Sequence, residues 1–151
     1  MKNIYFKILI LSFLFTVSFV EAQQRLPLVR YYSASTSKHF YSTGNVVPSG
    51  YVSEGILLYV YDHQVTTFTE PIFVLMNNGD TLLTTSVVEK NNAISAGFTD
   101  KGIIGYTNNS PELTKIYRYW RSSKSDHLYT NNYNELGSGK FSYRYEDTLL
   151  W

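Results

Sequence analysis

Two stretches of the chain share one pattern: LVRYYSASTSKHFYST at residues 28–43 and IYRYWRSSKSDHLYTN at residues 116–131. In each stretch an arginine stands among aromatic residues, a polar turn follows, and a histidine, a hydrophobic residue and a tyrosine come next. Equivalent residues of the two stretches lie 88 residues apart. This constant spacing indicates an internal repeat, which constrains the architecture of the whole chain.

A third, weaker copy lies midway between the first two, in IFVLMNNGDTLLTT at residues 72–85. The second halves of copies one and two also correspond, because Gly50-Tyr51 matches Gly97-Phe98 and Glu54-Gly55-Ile56 matches Lys101-Gly102-Ile103. The sequence therefore predicts three repeats, at about residues 28–71, 72–115 and 116–151.

Each copy has the composition of β-structure. Tyrosine, valine and phenylalanine form short runs that are separated by serine, threonine, asparagine and glycine, which is typical of strands joined by turns. We expect each copy to begin with a hairpin and to contain about four short strands. The one helical signal is the capping pattern Ser86 to Glu89, with Gly97 as its end, and we expect a single turn there.

A repeat of about 40 residues cannot bury a core alone, so the three copies should fold as one unit. The predicted fold is all-β, a pseudo-threefold repeat domain resembling a β-trefoil. A three-bladed radial β arrangement is the alternative. We expect one domain, over residues 23–151, and a monomer.

The composition excludes several classes of protein. The 151 residues carry a formal net charge of +1 and include no cysteine and three histidines. Disulfides and thiolate zinc sites are therefore excluded, and the chain lacks the basic excess of a nucleic-acid-binding protein. We expect no metal and no cofactor. Aromatic residues make up 17% of the chain and tyrosine dominates them, which suits half-buried strands and wet binding faces.

The first 22 residues have the pattern of a signal peptide. Lys2 and Lys7 precede a run of about 13 mostly apolar residues, and Val20-Glu21-Ala22 has small residues at the positions expected before a cleavage site. The apolar run is shorter than the roughly 20 residues of a spanning helix. We expect a secreted, extracellular protein with no membrane span after cleavage.

Catalytic motifs are absent from the sequence. It contains no GxSxG, HExxH, GxxxxGK(S/T) or GxGxxG. Glu54 and Glu146 could act as the carboxylate pair of a glycoside hydrolase, but their equivalent positions in separate copies should hold them too far apart. The sequence therefore favours a protein that is not an enzyme, with a glycoside hydrolase as the weaker alternative.

Copies one and three share a set of polar residues that copy two has lost. The set is Arg30, His39 and Glu54 in copy one, and Arg118, His127 and Glu146 in copy three. Copy two has Val74, Thr81 and Lys101 at these positions. Loss of all three together suggests that each trio acts as one charge-assisted network. The network either braces the strands or forms a ligand pocket, and both interpretations stay open.

Aromatic residues next to the trios are candidates for ligand contact. Side chains alternate across a strand, so neighbouring rings point to opposite faces. Tyr32 and Trp120 directly precede the polar turns and are the predicted platforms for a sugar. The predicted ligand-binding residues also include Tyr41 and Tyr129. Asn108 begins a glycosylation sequon, Asn-Asn-Ser, which would be used only in a eukaryote.

The repeat pattern resembles a tyrosine-rich family described as domain of unknown function 5648. Copy one resembles it best, through Tyr31, His39-Phe40-Tyr41, Gly50-Tyr51, Glu54-Gly55 and Tyr59. Copy three departs at Asp147, where the family has glycine. The resemblance covers roughly residues 28–151. Such repeats occur in secreted and cell-wall-associated proteins and are often appended to hydrolases, so the resemblance implies a role in binding a carbohydrate or a cell surface.

The resulting hypothesis is a secreted, lectin-like binding module for a carbohydrate or a cell-surface or cell-wall ligand, with sites in copies one and three and no nucleic-acid partner. The alternative is a structural or adhesion protein that binds another protein through its tyrosine-rich surface.

Overall fold

The structure is a computed structural model that describes residues 24–44, 46–64, 69–107 and 114–151. The predicted signal peptide and the sequon at Asn108 lie outside the described residues. Within the described ranges, no helix has the length and apolar character needed to cross a membrane.

The described residues are mostly β-structure, which confirms the all-β prediction. They form nine strands in three consecutive units: β1 Arg25–Ser33, β2 Lys38–Ser42 and β3 Val52–Tyr61 in the first unit, β4 Pro71–Asn77, β5 Asp80–Thr84 and β6 Thr99–Tyr106 in the second, and β7 Lys115–Arg121, β8 Asp126–Thr130 and β9 Arg144–Leu150 in the third. Each unit has three strands, one fewer than the roughly four that the sequence pattern predicts. The other described residues of the units form turns and irregular segments, an α-helix in the second unit and two short 3₁₀-helices in the third.

Every unit has the same internal order, with its first strand between the other two and all neighbours antiparallel. The predicted hairpin at the start of each unit is confirmed. The first and second units join where Tyr61 pairs with Tyr106, giving the six-stranded sheet β2-β1-β3-β6-β4-β5. The third unit forms a separate sheet, β8-β7-β9.

The third strand of each unit contains a bulge opposite the first strand. One residue is skipped in the pairing at this point, and the skipped residues are Glu54, Lys101 and Glu146. Gly55 and Gly102 follow the bulge with φ of 109° and 93°, whereas the third unit has Asp147 without a positive φ. A bulge frees its residue from the ladder and redirects the side chain. The fold therefore gives these three residues a common orientation relative to their first strands.

The core lies where the second strands of the three units meet. β2 packs against β5 and β8, and β5 packs against β8. One continuous buried cluster includes Leu28 and Tyr41 of the first unit, Leu83 of the second, and Ile116 and Tyr129 of the third. Removal of this apolar surface from water stabilises all three units together.

The helical segment is longer than the expected single turn. Helix α1 covers Val87–Ser95, two and a half turns. Ser86 caps it by accepting a hydrogen bond from the backbone N–H of Glu89, and Gly97 has φ of 93° just after its end, both as predicted. The additional length follows from tertiary packing, because Ala93 is buried against Phe73, and such packing stabilises helices that are marginal alone.

Candidate functional site

Arg30 joins the first unit to the third. Its Nε lies 2.8 Å from Glu54 Oε2 on the bulge of its own unit. Its two terminal nitrogens donate to the carboxylate of Glu135 at 3.2 and 2.9 Å, and one also donates to the carbonyl of Tyr129. Burial acts to lower the pKa of Arg30, but the Glu135 hydrogen bonds and nearby carboxylate charge raise it above its usual range. The guanidinium is thus a charged link between units.

His39 lies beside Arg30 and is held by an aspartate of the third unit. Its backbone N–H donates to Asp126 Oδ1 at 2.7 Å, and its Nδ1 lies 2.8 Å from Asp126 Oδ2. The other ring nitrogen is 3.5 Å from Glu54. Burial acts to lower the pKa of His39, but hydrogen bonds to Asp126 and Glu54 outweigh it and raise that pKa. Tyr143 donates its hydroxyl hydrogen to Asp126 as well, so both oxygens of this carboxylate have hydrogen-bond partners.

The third unit binds the second unit in the same manner. Arg118 lies 3.2 Å from Glu146 on its own bulge and donates to Glu89 of helix α1 at 3.1 Å. The backbone N–H and Nδ1 of His127 bind Asp80 at 2.8 Å each, and Nε2 is 3.6 Å from Glu146. The structure therefore brings each predicted trio together and adds two carboxylates from the neighbouring unit.

Tyr41 and Tyr129 belong to these junctions and lie in the core. The hydroxyl of Tyr41 accepts a hydrogen bond from the backbone of Tyr129, and the hydroxyl of Tyr129 bonds to the backbone N–H and carbonyl of Leu83. Their exposed fractions are 1% and 0%. Burial raises the pKa of both phenols, so both are neutral. Because they are buried and bonded to the backbone of neighbouring units, they stabilise the core and are not part of the proposed binding surface.

The junction from the second unit to the first has lost the network on both sides. Val74 and Thr81 occupy the register positions of the arginine and the histidine. On the facing side, Lys38 stands where the other units have Asp80 and Asp126, and its Nζ donates to the carbonyl of Ser125. An aspartate buried here would have no histidine to bind, and an unpaired buried charge is strongly destabilising.

Four carboxylates that take part in these junctions are not among the site residues predicted from the sequence: Asp80, Glu89, Asp126 and Glu135. Asp80 and Asp126 directly precede the aligned positions of Thr81 and His127, which is the one signal that could have revealed them. Alignment of repeats shows which residues are equivalent. It does not show that a histidine of one unit binds an aspartate of another.

Glu54 lies where three cavities meet. Cavities of about 240, 220 and 420 Å³ all have Glu54 in their walls. Tyr32 lines the first and third of these, and its ring centroid is 5.0 Å from that of His39. Phe141, which is largely exposed, also lines the first. We call this surface, built from Tyr32, Glu54, Glu135 and Phe141, the Glu54 groove.

The corresponding surface of the third unit is more covered. Trp120 packs on His127 with ring centroids 4.4 Å apart, as Tyr32 does on His39. Glu146 has a further neighbour, Arg144, at 3.9 Å, and its side chain is 22% exposed, compared with 33% for Glu54. Within the described ranges, no group of three or more histidine and carboxylate side chains is arranged to hold a metal ion.

A family model matches residues 14–108, and its description is Domain of unknown function (DUF5648). The chain belongs to this family. The matched range contains the first and second units and ends before the third begins. The resemblance noted for residues 28–151 is thus shown for the first two units. No curated protein and no solved structure matches the chain.

Proposed function

We propose that the protein is a secreted, non-enzymatic, lectin-like module that binds a carbohydrate or cell-surface ligand in the Glu54 groove. A second, weaker site lies beside Glu146 and Trp120 in the third unit. The observation that carries the proposal is the position of Glu54, fixed by Arg30 and His39 at the meeting point of three cavities beside an aromatic ring.

The chemistry of the groove suits a sugar. Hydroxyl groups of a sugar donate hydrogen bonds to carboxylates, and its apolar C–H face packs on a flat ring such as Tyr32. The hydrogen bond with His39, aided by Arg30, lowers the pKa of Glu54 despite its partial burial, so the carboxylate is a charged acceptor at neutral pH. Its position is already fixed, which reduces the entropy lost on binding.

The bracing and binding interpretations of the trios are compatible. Arg30 and His39 are enclosed and hold two units together, whereas a third of the Glu54 side chain is exposed to the groove. We propose that the bracing pairs fix the acceptor that meets the ligand. The matching strand order and bulges further support three copies of one repeat in a pseudo-threefold, trefoil-like arrangement.

Three observations support the absence of hydrolase activity in this proposal. Glu54 and Glu146 belong to different sheets, and each is bound by an arginine. A glycosidase acid needs a raised pKa, whereas the pKa of Glu54 is lowered.

The second candidate function is adhesion to another protein. It is favoured by apolar side chains on strand β3, where Ile56 is 49% exposed and Tyr59 55%, both on the face that they share with Val29 and Pro27 of β1. Exposed apolar residues that cluster on one surface are typical of interaction sites.

A glycan array with residues 23–151 tests the proposal. We expect binding to a restricted group of glycans, which Glu54→Gln weakens at least tenfold because the amide replaces a charged acceptor. Asp147→Asn, an exposed carboxylate on β9, is the matched control and should bind as the wild type does. Absence of binding to any glycan at high protein concentration would reject the proposal and leave adhesion.

A further inference from the structure

The junction of the second and first units contains a cavity of about 350 Å³. Phe40 and Tyr41 of the first unit form one side of it. Met76, Lys101 and Ile103 of the second unit form the other side. It lies at the junction that has lost the arginine, the histidine and the aspartate.

This cavity corresponds to the Glu54 groove at two positions, those of Tyr32 and Glu54. Met76 pairs with Thr81 across the hairpin as Tyr32 pairs with His39. Lys101 is the bulge residue, as Glu54 is in the first unit. The fold therefore keeps a cavity at this place while the residues around it change in character.

The lining differs from the Glu54 groove in charge and polarity. Val74 and Met76 stand where the first unit has Arg30 and Tyr32. The ammonium group of Lys101 stands where the first unit has the carboxylate of Glu54. Lys101 has no ion-pair partner among the described residues. The adjacent Asp100 is already bound by Lys90 at 2.6 Å and accepts the N–H of Gly102. The cavity thus combines an apolar wall with one unbalanced positive charge.

We propose that this cavity is a binding site for a small amphiphile that has an apolar chain and one carboxylate head, such as a single-chain fatty acid. The chain packs against Phe40, Met76 and Ile103, and the carboxylate meets Lys101. The volume lies within the roughly 300–1,000 Å³ of small-molecule sites. This site is independent of the sugar site, because the two have different walls and opposite charge.

The methionine in the wall allows a direct test. Met76 is the one methionine of residues 23–151, because Met1 belongs to the predicted signal peptide. In protein labelled with ¹³C at the methionine methyl group, laurate below its micelle concentration should shift the Met76 signal. Dodecanol, with the same chain and no charge, should bind about two- to fivefold more weakly, the effect of one exposed ion pair.

Variants at Lys101 separate the charge from the apolar contact. Lys101→Ala should make laurate and dodecanol bind equally. Lys101→Glu places a negative charge in the cavity and should bind dodecyltrimethylammonium, which has a positive head group, more tightly than laurate. Lys124→Ala, which removes an exposed lysine outside the cavity, should behave as the wild type. An unshifted Met76 signal, equal binding of laurate and dodecanol by the wild type, or binding to phospholipid vesicles without binding of monomeric laurate would overturn the proposal.

Discussion

Replacement of Asp126 by alanine should strongly destabilise the protein. The side chain is 0% exposed and accepts hydrogen bonds from the backbone of His39 and the hydroxyl of Tyr143. It also contacts the His39 ring at 2.8 Å and Arg121 at 3.8 Å. Alanine leaves these buried donors without an acceptor and the imidazole without its counter-charge. Removal of one member of a buried pair costs about 3–5 kcal/mol, and we expect the free energy of unfolding to fall by that amount.

The assay is urea unfolding followed by the fluorescence of the two tryptophans. Lys38→Ala is the matched control, because Lys38 holds the same register position in the first unit and its side chain makes one hydrogen bond to the described residues, to the carbonyl of Ser125. Its loss should cost about 1 kcal/mol. The urea dependence should stay unchanged in both variants if only the native junction is affected. Equal losses, or a loss below about 1 kcal/mol for Asp126→Ala, would refute the reasoning.

Three further changes probe the junctions. Glu54→Ala should lower the free energy of unfolding by about 1–4 kcal/mol because the largely enclosed Arg30 loses one of its two carboxylate partners, and Lys101→Ala should lower it much less; equal urea midpoints for the two would contradict this. The raised pKa of His39 stabilises the fold fully below its ordinary value of 6.5, and that contribution is lost as the pH rises through the raised pKa. Urea midpoints should therefore fall with rising pH in the wild type, more steeply than in His39→Gln, and parallel profiles would argue against a charged His39. Gly105→Ala places a Cβ 2.4 Å from Val60 at the β3–β6 contact, so thermal unfolding should show a loss of about 1–3 kcal/mol, and an unchanged melting temperature would show that the two strands separate easily.

Local pattern was enough to predict the β-structure of each unit and the hairpin with which each unit begins. The turns between first and second strands follow from short polar segments, and Asn78-Gly79, with φ of 49° and 81°, is the dipeptide that a tight hairpin requires. The correspondence of Glu54 with Lys101 was readable from Gly55 and Gly102, whose positive φ marks the bulge.

Contacts between units could not be predicted in this way. Asp126 lies 87 residues from His39 in sequence, and nothing in either copy indicates which copies are neighbours. The length of helix α1 depends on Ala93 packing on the sheet, a tertiary effect that weak local propensity does not reveal. The burial of Tyr41 and Tyr129 has the same cause, since tyrosine is equally suited to a core and to a wet surface.

The central claim is that the aromatic rings beside the two trios contact a ligand, and parallel measurement of melting and binding for Tyr32→Ala and Trp120→Ala tests it most directly. Binding to an immobilised glycan identified on the array is measured with Met76→Ala as the control. The account predicts melting temperatures close to that of the wild type. Each aromatic variant should lose one of the two sites, so its apparent affinity for the immobilised glycan should fall by the avidity factor of about 10²–10⁴. Losses of about 3–5 kcal/mol in stability, typical of a packed ring, with binding reduced only in step with unfolding, would contradict it.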